Sequence, residues 1–199
     1  TPETATKAHP GKIQGVTFAG GEELYQIAQD MANMLREDEG CNYVICLGHL
    51  GIDDETAATG NRSIDLLNKV TGIDVFIDGH SHSTIAMELV KNKDGKEIPL
   101  SSTGTKLVNI GKLTISDGVF TTELVSDYAA KDDTTDVFVK SIQEKNEALV
   151  NTVVARTSVD LTTKHSDGTR AIRNRETNLG DLCADAYRAV SGADIALVN

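Results

Sequence analysis

The sequence has no tryptophan, and its aromatic side chains are four tyrosines and four phenylalanines. A stacking surface for the bases of a nucleic-acid strand would need more. Positive charge is also short. Nineteen Lys and Arg stand against thirty Asp and Glu, a net charge of −11, which argues against binding a nucleic-acid polymer, where a basic face is needed. One small nucleotide needs only a local cation or metal and is not excluded. No apolar run reaches the length of a membrane-spanning helix. The three cysteines, Cys41, Cys46 and Cys183, form no CxxC pair, and Cys46 and Cys183 read as small buried hydrophobes. No Met or signal peptide opens the chain at Thr1-Pro2-Glu3, as expected of a mature or cut-out segment. What remains is ordinary for a globular protein: 199 residues, 39% hydrophobic and 25% charged.

The stretch Asp74-Val75-Phe76-Ile77-Asp78-Gly79-His80-Ser81-His82 stands out. A β-branched and aromatic run breaks at a glycine, and two histidines follow, one residue apart. Upstream, the apolar run 43–47 also ends in Gly48-His49. Between the two runs, residues 63–70 have helical periodicity, with Ile64, Leu67 and Val70 inward, and Gly72 stops them. Strand, helix and strand at this spacing predict a βαβ crossover, hence parallel strands with both Gly-His turns at the C-terminal edge, where α/β sheets bind ligands. That topology delivers His49, His80 and His82 to one rim. Imidazole suits several divalent metals by type. Asp53, Asp54 and Asp78 are local carboxylate candidates, and Asp78 could equally orient a ligand or cap the strand end. His9 and His165, each isolated, read as ordinary surface or core groups.

Residues 1–12 read as a loop and 14–18 as a short strand. A helix is predicted from Glu22 to near Gly40, with Leu24, Ile27, Ala28, Met31 and Leu35 on one face. After Thr84 the alternation predicts a β-meander, with strands over 85–90, 98–100, 107–115 and 119–125 and turns at 92–95 and Asp117-Gly118. A helix over 137–150, with Phe138, Ile142 and Leu149 on one side, reads as a linker. Residues 153–161 and 195–198 read as strands. Between them Asn178 is the expected N-cap of a helix, with Asp181 at its third position and an apolar stripe of Leu179, Leu182, Cys183, Ala186 and Val190 ending at Gly192. Arg170, Arg173 and Arg175 precede that helix. They form either an anion site or a set of exposed ion pairs with Glu176 and Asp181.

Taken together, Leu47-Gly48-His49-Leu50-Gly51 and Asp78-Gly79-His80-Ser81-His82 resemble the last two motifs of the calcineurin-like metallophosphoesterases, specifically the 5′-nucleotidase family. Arg173-Asn174-Arg175-Glu176-Thr177-Asn178-Leu179-Gly180-Asp181 and Ala193-Asp194-Ile195-Ala196-Leu197-Val198-Asn199 resemble the opening of that family's C-terminal nucleotide-binding domain. The resemblance covers the chain from about Gly15 onward. It implies an α/β fold: the C-terminal half of a metallophosphoesterase-type β-sandwich flanked by helices over 1–127, a linker helix over 128–151, and the start of an α+β substrate domain over 152–199.

It further implies a secreted, periplasmic or cell-wall-associated bacterial hydrolase of nucleotide phosphate esters that uses two divalent metal ions, such as Zn, Mn or Co. By the same resemblance, His49 and His80 match ligands of one metal and His82 a ligand of the other. Arg173 and Asn199 match substrate-binding residues. Arg170 lies one residue from a second family arginine. The family's Asp-x-His, Gly-Asp and Gly-Asn-His motifs, which carry the bridging Asp, the Asn ligand and the catalytic His, are not in these 199 residues. Gly60-Asn61-Arg62 lacks the histidine. The catalytic residues are therefore expected upstream, in missing parts of a parent chain, and the segment alone is expected to be inactive. A UDP-sugar, a 2′,3′-cyclic nucleotide or a sulfur compound is the alternative substrate, and a non-catalytic metal- or nucleotide-binding surface protein the alternative class.

Overall fold

The computed structural model describes residues 1–172 and 175–198. The chain divides into two compact units, Thr1–Ala130 and Lys131–Asn199. The protein is mixed α/β.

The first unit begins with a five-residue helix, α1 (Glu3–Lys7), and a single 3-10 turn, Pro10–Lys12, where a loop was expected. His9 caps that turn, its Nδ1 accepting from the Gly11 N–H at 3.1 Å. This gives the isolated histidine a local structural role. Residues 14–18 do not form a strand. Gly15 turns the backbone at φ 77° and the Val16 N–H closes back on the Ile13 carbonyl. The apolar run thus lacks the neighbouring strand that β structure requires.

Helix α2 (Glu22–Glu37) follows, with Glu22 and Glu23 in its first turn against the dipole. Its end is set at Gly40, which takes the left-handed conformation at φ 66°. Its buried face carries Tyr25 and Ala32, flanked by Leu24, Ala28 and Leu35. Ile27 and Met31 were expected on this face but are about half exposed. The helix is rotated so that the smaller Ala28 and Ala32 face the core, with Ala32 close against Gly72.

Strand β1 (Ile45–Leu47), helix α3 (Ser63–Leu67) and strand β2 (Val75–Asp78) form the anticipated crossover, with Ile45, Cys46 and Leu47 paired parallel to Val75, Phe76 and Ile77. Leu66 joins Leu67 and Val70 in the core. The next segment departs from a simple meander. Strands β3 (Thr84–Lys91) and β4 (Glu97–Thr103) are antiparallel to each other, but β4 inserts beside β2, parallel to it, giving the order β1-β2-β4-β3. Burial explains the swap. β4 is buried from Ile98 to Ser102, while β3 is exposed along most of its length. A strand covered on both faces takes the centre and the exposed one becomes the edge. Strands β5 (Ile110–Ser116) and β6 (Val119–Val125) make a separate two-stranded ribbon. Its two-residue turn, Asp117-Gly118, has positive φ at both positions, as a primed hairpin turn needs. Leu107, expected to open β5, also has positive φ and is excluded from the strand.

In-register pairing puts Cys46, Phe76 and Leu100 on one face of the sheet. Phe76, Leu67, Ile98 and Leu100 are fully buried there with Leu66, Val70 and Ala32. Each such side chain contributes about 1.5–3 kcal/mol. One ionic cluster ties α2 to the start of both parallel strands. The Arg36 guanidinium pairs with Asp74 and donates to the carbonyls of Cys41, Asn42 and Gly72. Asp74 also accepts from the Val44 N–H at 3.0 Å and from Lys96 at 3.2 Å.

In the second unit, α4 (Asp133–Asn151) is capped by Asp132, which accepts from the Thr135 N–H at 2.8 Å. Helix α5 (Asn178–Ser191) ends at Gly192 in the left-handed conformation. Its N-cap is Thr177, not Asn178: the Thr177 hydroxyl accepts from the Gly180 N–H at 3.2 Å. Asn178 instead fastens residues 160–162, accepting from the Thr162 N–H and donating to the Asp160 carbonyl, both at 2.8 Å. Residues 153–161 and 195–198 form no strand. Val154 and Leu197 are more than nine-tenths exposed, because no neighbouring strand pairs with either segment among the described residues.

Burial pushes the Asp74 carboxyl up, and the bonds from Val44, Lys96 and Arg36 outweigh it, leaving the group below the usual carboxylate range. The stability it contributes is therefore present above its unfolded value of about 4 and is lost as pH falls through the lowered folded value. Replacing Arg36 with Met leaves Asp74 with Lys96 and the Val44 N–H, removes its guanidinium partner, and is expected to cost the first unit about 1.5–3 kcal/mol. Urea unfolding at pH 7 and below pH 4 checks both, since the Arg36→Met penalty shrinks in acid.

Candidate active-site rim

Both Gly-His turns sit at the C-terminal ends of parallel strands. β1 runs into Gly48-His49 and β2 into Gly79-His80. The glycines are there because the rim is crowded. A Cβ on Gly48 would stand 2.5 Å from the Phe76 ring, and one on Gly79 3.0 Å from His49 Nδ1. Those close approaches bring the imidazoles of His49 and His80 together, with ring centroids 5.2 Å apart and planes at 70°.

Backbone strain concentrates at the same turn. His80 has φ 78° and His82 φ 57°. Positive φ in a residue other than glycine costs on the order of 1 kcal/mol or more and persists only where surrounding contacts impose it. Here the imposing group is Asp78. One carboxylate oxygen accepts from the N–H groups of Leu50 at 3.0 Å, Gly51 at 3.3 Å and Gly79 at 2.8 Å. The other lies 2.5 Å from the Ser63 hydroxyl. Ser63 is fully buried at the start of α3, and its N–H bonds to the Gly51 carbonyl at 3.0 Å. Asp78 thus caps the strand end and pins both histidine-bearing loops to α3. Of the roles the sequence leaves open for it, carboxylate ligand, ligand-orienting partner or strand-end cap, its bonds are those of the cap.

The third histidine is not part of the pair. All three histidines are exposed, and among the described residues the ring contact joins His49 and His80 without His82. Among the described residues no three His, Cys, Asp or Glu side chains converge as metal donors. The Asp54 side chain is fully exposed and points toward Arg62, 3.8 Å away. Two adjacent imidazoles fit one side of a divalent-metal site by type and closeness. They do not fit a complete dinuclear centre, which needs about four or more donors per ion.

Asn61 is buried and committed elsewhere. Its Oδ1 accepts from the Gly21 N–H at 2.8 Å, and its Nδ2 donates to Glu3 at 2.7 Å. Cys46 is no nucleophile: burial, then the charge of Asp78, pushes its thiol up to about 11. Beside the paired histidines lies a cavity of about 280 Å³, whose other walls include Glu3, Thr4, Leu50, Thr59 and Asn61. The sequence gives one sign of this wall, the polar Gly60-Asn61-Arg62 turn, and no sign that residues near the chain's start would reach it.

Arg173 and Asn199, the expected substrate-binding residues, lie outside the described residues. Arg170 forms an isolated antiparallel bridge with Lys164. Among the described residues neither Arg170 nor Arg175 makes an ion pair with Glu176 or Asp181.

No protein-family model matches the chain. Over 213 aligned positions and its whole length, the chain is 29% identical to the trifunctional nucleotide phosphoesterase protein YfkN of Bacillus subtilis (strain 168). It spans 13% of that protein.

Removing the Asp78 carboxylate leaves the N–H groups of Leu50, Gly51 and Gly79 without this acceptor, and the Ser63 hydroxyl with the Gly51 carbonyl alone, 3.1 Å away. Asp78→Ala is expected to lower stability by about 3 kcal/mol or more, with Asp78→Asn milder because it keeps one oxygen. Urea unfolding gives the cost. Loss of the His49–His80 ring contact in the nuclear Overhauser spectrum reports the rim.

Proposed function

We propose that this chain is the part of a nucleotide phosphohydrolase that supplies the His49–His80 rim, and that water cleaves a phosphate ester there. The observation that carries the reading is the imidazole pair at the carboxyl edge of two parallel strands, on a turn strained at both His80 and His82. Strain is retained at sites whose geometry serves chemistry. The alignment with a nucleotide phosphoesterase along the whole chain supports the reaction class.

The residues have separate parts in this reading. His49 and His80 act together as donors to a single divalent cation, which their closeness supports. His82, which makes no ring contact with them, serves a second. Arg173 and Asn199 hold the nucleotide through guanidinium and amide contacts with phosphate and ribose. Asp78 touches no substrate. It keeps the two loops at the spacing that lets two rings share one ion. Metals, when bound, supply charge neutralisation at phosphorus and an activated water. The remaining donors come from outside these 199 residues, so the chain alone is half of a site.

The test has two arms. The purified 199-residue chain is expected to show no turnover of nucleoside monophosphates or bis(p-nitrophenyl) phosphate. In a longer parent that is active, His49→Ala or His80→Ala is expected to lower kcat/KM about a hundredfold or more. Chelator-sensitive turnover by the chain alone contradicts the half-site. Full activity of the His80→Ala parent contradicts the assignment of the rim.

A further inference from the structure

We propose that the loop after β4, residues 104–109, is a third loop of the rim, and that its Lys106 ammonium holds the phosphate group of the substrate. The inference rests on the reading of the rim as a phosphohydrolase site and adds a binding residue to it.

Topology brings the loop there. β4 runs parallel to β2, with Ser101 beside Ile77 and Ser102 beside Asp78. Its carboxyl end therefore leaves the sheet at the same edge as Gly79-His80, where open α/β sheets take ligands. The Gly104 N–H donates to the Ser83 carbonyl at 3.0 Å, which ties the loop to the chain one residue after His82. The approach is so close that a Cβ on Gly104 would lie 2.7 Å from Thr84 Oγ1. The loop is also closed at its base. Asn109 Nδ2 donates to the Thr103 carbonyl at 3.0 Å, and the Val108 N–H to the Thr105 carbonyl at 3.4 Å. Across its tip Lys106 and Leu107 both take the left-handed backbone, at φ 60° and 57°. Core packing does not explain that strain, since Leu107 is 97% exposed. Strain of this kind clusters where a group is presented for use, and the charged group on this tip is Lys106.

Charge singles out the same residue. The chain carries −11 overall, yet the turn 79–83 and the loop 104–109 contain no acid. They contain two histidines and one lysine. Asp78, just before the turn, is buried with its oxygens taken by Leu50, Gly51, Gly79 and Ser63. After β1, acids return at Asp53 and Asp54, and Asp54 lies 3.8 Å from Arg62. Lys106 is exposed and makes no ion pair among the described residues. Its ammonium is a compact point charge on a flexible stem, a form that suits phosphate oxygens. On a chain this acidic, an unpaired cation on an acid-free edge marks where a dianion can approach.

Phenyl phosphate titrated into the 199-residue chain at constant ionic strength, followed by amide and lysine side-chain resonances, tests the contact without turnover. Saturable shifts are expected in residues 104–109, in residues 81–83 and at the Lys106 side chain. Lys106→Gln is expected to weaken binding about tenfold, and Lys106→Arg to keep most of it. Lys91→Gln removes the same charge at the far end of β3 from Thr84 and is expected to leave the affinity within about twofold. The proposal is overturned if phenyl phosphate gives no saturable shift in residues 104–109. It is equally overturned if Lys91→Gln weakens binding as much as Lys106→Gln does. The readout is binding alone, so it fails separately from the hydrolase reading. Full activity of the His80→Ala parent would remove that reading and leave the Lys106 contact standing.

Discussion

The rim depends on one carboxylate. Asp78 ends β2 inside the structure, where an acid is costly unless its lone pairs are filled. Leu50, Gly51, Gly79 and Ser63 fill them. The same bonds that make burial tolerable also fix the loops after β1 and β2 relative to α3. The loops then have no freedom to relax the left-handed backbone at His80 and His82. Two imidazoles meet at 5.2 Å as a consequence. A structural cap and a chemical site are here one construction: one group satisfies its own burial by holding others in an unfavourable shape.

Stability and chemistry are distributed unevenly along the chain. The first unit has a continuous core, from Tyr25 and Ala32 through Leu67 and Phe76 to Leu100. It carries the paired histidines just after the edge strand β1 and the buried strand β2. The second has Ala171 and Thr177 as its buried residues among those described. The apolar stripes of α4 and α5 lie open to solvent, with Phe138, Leu149 and Val190 all more than half exposed. The residues proposed to hold the nucleotide belong to that second unit. The two units thus differ in packing: the first has a continuous core, and the second keeps most of its described apolar side chains exposed.

Much of the rim was legible in the sequence because it is built from local signals. Two apolar runs, each stopped by Gly-His around a helical period, give a parallel crossover by topology alone. Hairpin turns and the α2, α4 and α5 helices are likewise written in turn residues and 3.6-residue spacing. What was not legible depends on distant partners. Residues 14–18, 153–161 and 195–198 have strand composition but no strand to pair with, and pairing rather than composition makes a strand. β4 moved between β2 and β3 because burial, invisible along the chain, chose its neighbours. Ile27 and Met31 satisfied the period of α2 yet lie off its packed face. The Asp78 cap and the reach of Glu3 to Asn61 arise from contacts no spacing encodes.

The central claim is that topology and the Asp78 cap make His49 and His80 a cooperating pair and leave His82 apart. Zn²⁺ titration of the 199-residue chain, followed by the imidazole nitrogen resonances, tests it most directly. The account predicts that His49 and His80 shift together with one weakly bound ion while His82 does not follow them. Saturation of two ions at stoichiometric concentration, or a shift of His82 in step with the pair, would contradict it.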